Sequence, residues 1–187
     1  PKFCAGLLKH IYKMETTGNE DEVELSESEK KLATKMYDVF LYVKFCPAIS
    51  DTGKFEKTEL KKWCVNYVEA VTANKQLSIG LYYLGRILAS SPKGEDGLFP
   101  HETVREAVEQ YCSYESFKNG FVVEIFNLRG VHAVNAGFEE KSIANDYQEY
   151  ADALRIPFPK TSALLQKISD EYSRQSIDER QVAEHEY

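Results

Sequence analysis

No stretch of this chain comes near the ~20 consecutive apolar residues that a membrane-spanning helix requires, and a transmembrane segment is excluded on that ground. The cysteines are few and scattered. Cys4, Cys46, Cys64 and Cys112 form no C-x-x-C pair, and no His or Glu stands at ligand spacing from another His, so neither a metal site nor any other cofactor is expected. Isolated cysteines on apolar helical faces read as small buried thiols in a reducing compartment, and a cytoplasmic location is expected. Nucleophile elbow, Walker loop and dinucleotide fingerprint are all missing; the glycines are dispersed. Positive charge is short as well. With a formal net charge of -7, the chain has no general basis for gripping nucleic acid, and no candidate helix pair ends in a basic recognition helix.

Of its 187 residues, 43% are hydrophobic and 28% charged, an ordinary balance for a globular domain. A chain of this length buries roughly 70% of its unfolded surface, enough for one core without a staple. Lys30, Lys31 and Lys35, and then Lys54, Lys57, Lys61 and Lys62, alternate with glutamates and read as solvated helix faces. The opening Pro1-Lys2-Phe3-Cys4 enters apolar helical spacing at once, through Phe3, Leu7, Leu8 and Ile11. It lacks the basic region and cleavage site of a signal peptide, and a domain cut from a longer protein is the expectation.

Helical periodicity recurs along the chain. A first helix spans Lys2 to Met14, and the acidic stretch Glu15 to Glu24 is a loop. Ser26 and Glu29 match a capping box, and Leu32, Met36, Phe40 and Val43 follow in one stripe that stops before Pro47. Asp51 to Glu56 has the wrong ligand order for a calcium loop. Leu60, Trp63, Cys64, Tyr67, Val68 and Val71 mark the clearest amphipathic helix. Leu77 to Ser90 is apolar nearly all round, so it is the central helix, and Gly80 and Gly85 within it suit the close approach of a neighbour. After the breakers of Ser91 to Gly97, Pro100 is expected at the first position of a helix carrying Val104, Ala107, Val108, Tyr111 and Cys112, with Glu102 as a first-turn cap. Glu115 to Leu128 reads as helix despite the strand formers Phe121-Val122-Val123. Two more helices follow: one bears Ile143, Ala144, Tyr147, Ala151 and Leu154, and the last begins near Pro159 with Leu164, Leu165, Ile168 and Tyr172. Residues 173–187 are expected as an exposed helical tail.

The fold class is therefore all-α: a single domain over 1–187 with about eight helices. An irregular bundle is favoured over stacked HEAT- or armadillo-like hairpins, because no repeat period is visible.

Chemistry concentrates at Asn127 to Gly137, NLRGVHAVNAG, where Arg129 and His132 sit beside glycines between two helices. Cations at a helix C-terminus complement its dipole, and Gly130 suits a left-handed cap. The alternative is a ligand- or anion-binding cleft lined by tyrosines, with Arg129, His132 and His101 as its candidate residues and Arg129 offering a planar fork to a carboxylate. Glu139-Glu140, Asp170-Glu171 and Asp178-Glu179 are adjacent pairs that point to different helix faces, so they are not acid/base pairs. The twelve tyrosines suit both core stripes and protein interfaces.

The run Arg129-Gly130-Val131, Gly137, Glu140, Ala144, Tyr147, Ala151, Leu154, then Pro159-Lys160-Thr161, Leu164, Ile168 and Tyr172 resembles the C-terminal end of large uncharacterised bacterial proteins. The resemblance covers about the last third of the chain. It implies a helical module of a bigger bacterial chain, and it brings no activity and no catalytic residues. The leading expectation is a non-catalytic domain that docks on the remainder of the parent chain or on another protein; the alternative is an enzymatic or small-ligand domain using the Arg129 cleft.

Overall fold

A computed structural model describes residues 1–12, 26–41, 46–49, 55–130 and 137–185. The expected loop at 15–24, residues 51–54 of the calcium-like stretch and His132 lie outside these described residues. The chain forms α1 (Lys2–Ile11), α2 (Glu27–Leu41), α3 (Lys57–Ala73), α4 (Leu77–Ala89), α5 (Glu102–Tyr111), α6 (Glu115–Arg129), α7 (Phe138–Leu154) and α8 (Pro159–His185). Among the described residues the only β-type pairing is a bridge between Ile49 and Phe55. No helix of these residues is long and apolar enough to cross a membrane.

The two extensive helix pairs are α4 with α6 and α7 with α8. Because α4 pairs with α6 across α5, the helices form an irregular bundle, not a succession of stacked hairpins. Glycine explains the α4–α6 pair. A Cβ on Gly120 would fall on the Tyr82 carbonyl oxygen, and one on Gly85 on the Phe117 carbonyl, so the two backbones meet where neither helix carries a side chain. Gly80 does the same for α3, since a Cβ there would lie 2.6 Å from Val71 Cγ2. The Phe121-Val122-Val123 segment stays helical because Phe117, Phe121 and Ile125 recur on one face and are buried in the core.

Pairing of α7 and α8 rests on a different device. Ser162, Ser169 and Ser176, seven residues apart, donate their hydroxyls to the carbonyls of Ala151, Ala144 and Gly137 at 2.6, 2.8 and 2.7 Å. The last serine meets the first carbonyl, so the helices run antiparallel. Small residues on both sides let the axes approach, and each buried bond contributes about 1 kcal/mol. Gly137, at φ 75°, abuts the Ser176 backbone and could carry no side chain there. The helical seam therefore continues past Tyr172: α8 is unbroken to His185, with Ser176 buried and Ile177 and Val182 exposed.

Helix starts follow local chemistry. Ser26 and Glu29 form the capping box: the Glu29 amide donates to Ser26 Oγ at 3.3 Å and the Ser26 amide to Glu29 Oε2 at 2.8 Å. The bonds from the Ser26 side chain and backbone hold the Glu29 carboxyl below its usual range. At α5 the expectation needs correction. Pro100 lies outside the helix, which starts at Glu102, and the cap is His101, whose Nδ1 accepts the Thr103 amide at 3.2 Å. The carboxylate of Glu102 turns back to the Asp96 amide instead. Glu109 serves α8 from a distance, accepting from the Thr161 amide at 2.7 Å and the Thr161 hydroxyl at 2.9 Å.

All four cysteines are buried free thiols. Burial raises the pKa of each, to about 12 for Cys64 and about 11 for Cys112, so they pack as small hydrophobes.

Candidate functional site

Arg129 is the last residue of α6, and Gly130 ends the helix at φ 71° and ψ -166°. The positive φ requires glycine, but the backbone then extends where a left-handed cap would have curled. Past this turn the guanidinium reaches α7. Its Nη2 donates to Glu139 Oε2 at 3.2 Å and, at shorter range, to Glu140 Oε1. Glu140 is wholly buried, whereas the Glu139 side chain is 56% exposed. These neighbours do point to different faces, as helix geometry demands, yet both reach one nitrogen because Arg129 sits across the start of the helix. Burial opposes the Arg129 charge, but the bonds to Glu140 and Glu139 outweigh it and raise the pKa.

The same side chain lines a cleft of about 400 Å³ at the junction of α4, α6, α7 and α8. Tyr172 on α8 lies beneath the guanidinium, with the ring centroid 5.6 Å from Cζ. Tyr147 on α7 stacks on Tyr172 at 6.0 Å, and Phe99 meets Tyr147 edge-on at 6.0 Å. Ile125 and Leu128 from α6, Ile143 from α7 and the end of α4 at Ala89, Ser90 and Ser91 complete the wall. A tyrosine-lined cleft at Arg129 is thus present.

His101 does not join it. Its ring stacks on Phe55 at 4.2 Å, its Nδ1 is engaged as the α5 cap, and it is absent from the cleft wall. Its backbone amide donates to the Pro92 carbonyl at 2.9 Å and to Ser91 Oγ, at the rim of the cleft, at 3.1 Å. His132 falls outside the described residues, so of the three candidates Arg129 is the one placed in the cleft.

Phe99 is held by a residue that the sequence patterns did not single out. Arg105, 2% exposed, grips Asp96 with both terminal nitrogens at 2.6 and 2.8 Å and donates to the carbonyls of Pro100 and Leu98 at 2.6 and 2.9 Å. This fork closes the loop before α5 and sets the aromatic wall. The Arg105 hydrogen bond lowers the Asp96 pKa from 3.8 to about 2. A lowered carboxyl stabilises the fold above its unfolded pKa and loses that contribution as the pH falls through the folded value. Melting temperature should therefore drop between about pH 4 and about pH 2, with a smaller drop in Asp96→Asn. The effect is modest, because Asp96 is 39% exposed and screened by water.

A second buried pair, Arg86 on α4 and Glu124 on α6, joins Nε to Oε2 at 2.7 Å beside the Tyr83 ring. Glu124 and Glu140 each occupy the buried stripe of their own helix, at positions where hydrophobic spacing alone predicts an apolar residue. A charge on an apolar stripe was the signal available in the sequence. Compared with protein-family models, with curated proteins and with solved structures, the chain matches none.

Proposed function

We propose that this chain is a non-catalytic helical module that docks on the remainder of a longer bacterial parent chain or on another protein, through the outer face of α6. One observation carries the reading. Between Lys118 and Arg129 the only charged residue is Glu124, and it is buried against Arg86, so the outward surface of Asn119, Val123 and Asn127, with Val122 and Phe126 partly buried at its margin, is uncharged. Val123, in the middle of this surface, is 39% exposed. The exposed faces of α3, α7 and α8 bear lysines, arginines, glutamates and aspartates throughout. Depletion of charge around exposed apolar and amide groups is the compositional mark of an interface core. The buried arginines fit the same picture, because Arg86, Arg105 and Arg129 all hold helices and loops together.

A photo-crosslinking residue at position 123, with a control at Lys61, tests the reading in the full-length gene product and its cellular surroundings. Position 123 should yield a discrete adduct to a polypeptide, lost when Asn127→Glu is added, and position 61 should not. Equal adducts at both positions, or none at 123, would overturn it.

A further inference from the structure

We propose that the Arg129 cleft is a binding site for a small aromatic monocarboxylate, with the carboxylate on Arg129 and the ring seated among Phe99, Ile143 and Tyr147. The cleft lies within the size range of small-molecule sites, roughly 300–1,000 Å³, and combines apolar walls with a few polar groups, as such sites do.

The guanidinium is only partly used. Both glutamates bond to Nη2, which leaves Nε and Nη1 without hydrogen-bond partners among the described residues. Arg129 is mostly buried, with 12% of its side chain exposed, and it lines the cleft, so these N–H groups are available to a ligand oxygen there. The planar fork of Arg matches a carboxylate.

Charge selects the class. Glu139 and Glu140 already bond to Arg129, so their charge repels a dianion such as a phosphate monoester about twice as strongly as a monoanion, while the bonds to the guanidinium are open to both. A monoanion adds the least charge and can use Nε and Nη1, on the side of the guanidinium that Glu139 and Glu140 leave open. The fully buried Glu140 stays and keeps the arginine fixed. The rings of Phe99 and Tyr147 stand perpendicular to one another and offer edge-and-face contacts to a third ring. At the α4 end of the cleft, the carbonyls of Ala89 and Ser90 terminate the helix, where the dipole favours a cation. An α-ammonium group on the ligand would find acceptors there, so a free aromatic amino acid and a simple arylalkanoic acid share the chemistry that the site reads.

Calorimetry on the whole chain separates the cases, with 3-phenylpropionate, L-phenylalanine and 3-phenylpropanamide as probes. At least one of the two acids should bind, and the uncharged amide should bind about tenfold more weakly or worse. The stronger of the two acids identifies the source of the carboxylate. Glu139→Gln, a change at an exposed position, should tighten binding by about threefold, because it removes the competing charge. Ile143→Trp should fill the cleft and abolish binding while leaving helical content and melting intact, a control that does not disturb the ion pair. Equal affinity for acid and amide, unchanged binding in Ile143→Trp, or no binding of either acid at millimolar concentration would overturn the proposal. None of these results bears on the α6 docking face, which rests on a separate observation.

Discussion

Gly120→Ala costs about 3 kcal/mol of folding free energy, the upper end of the penalty for overpacking a core. The added methyl would be a single carbon, and alanine is otherwise the better helix former by up to ~1 kcal/mol, so propensity predicts the opposite sign. Position decides. The new Cβ would land on the Tyr82 backbone carbonyl, which cannot rotate away as a side chain would, and α4 and α6 must separate along their whole contact. That separation also pulls Arg86 from Glu124 and opens the wall formed by Ile125 and Leu128. Urea unfolding measures the loss, and Gly6→Ala in α1 is the internal control: nothing lies within 4 Å of its would-be Cβ, so that substitution should be neutral or stabilising.

Arg129→Met should cost about 3–5 kcal/mol, because it removes the cation from a fully buried carboxylate and leaves the charge of Glu140 in a low-dielectric setting. The double variant Arg129→Met/Glu140→Met should recover most of the loss, since two well-packed apolar side chains can replace a buried pair at little net cost. Urea unfolding of the two single variants and the double variant gives the coupling. If the double variant were as unstable as the sum of the singles, the pair would not be acting as a unit, and Arg129 would owe its position to the Tyr172 ring instead.

Helix-by-helix, much of this architecture is legible in the sequence because each element carries its own periodicity. Leu60 to Val71 announces α3, the Ser26–Glu29 box announces the start of α2, and Gly80 and Gly85 announce close neighbours. Legibility fails where one residue answers to a partner far along the chain. Hydropathy assigns Arg105, Glu124 and Glu140 to solvent, but the stripes on which they sit assign them to the core, and only knowledge of Asp96, Arg86 and Arg129 as partners resolves the conflict. The α7–α8 seam was hidden for a similar reason. Serine at 162, 169 and 176 looks polar until the carbonyls of Gly137, Ala144 and Ala151 are set opposite. His101 stands apart from the Arg129 cleft for the same kind of reason: its Nδ1 accepts a backbone amide and its ring stacks on Phe55, partners that the sequence does not display.

At Arg129 both sequence readings contain part of the arrangement. The residue does close a helix C-terminus, and it does face a tyrosine-lined cleft. Its dipole role and its ion pair with Glu140 set the side chain in place, and the cleft is what that placement leaves open. The docking face proposed for α6, centred on Val123, lies on the other side of the same helix from Leu128 and the cleft.

Val123→Glu tests the central claim most directly, because it puts one charge into the middle of the uncharged α6 surface without touching the core. The complex captured through position 123 should be lost, while the melting temperature stays within a few degrees of the unmodified chain, as expected for a surface substitution worth roughly 0.5 kcal/mol or less. A complex that forms with undiminished affinity in Val123→Glu would contradict the assignment of this face.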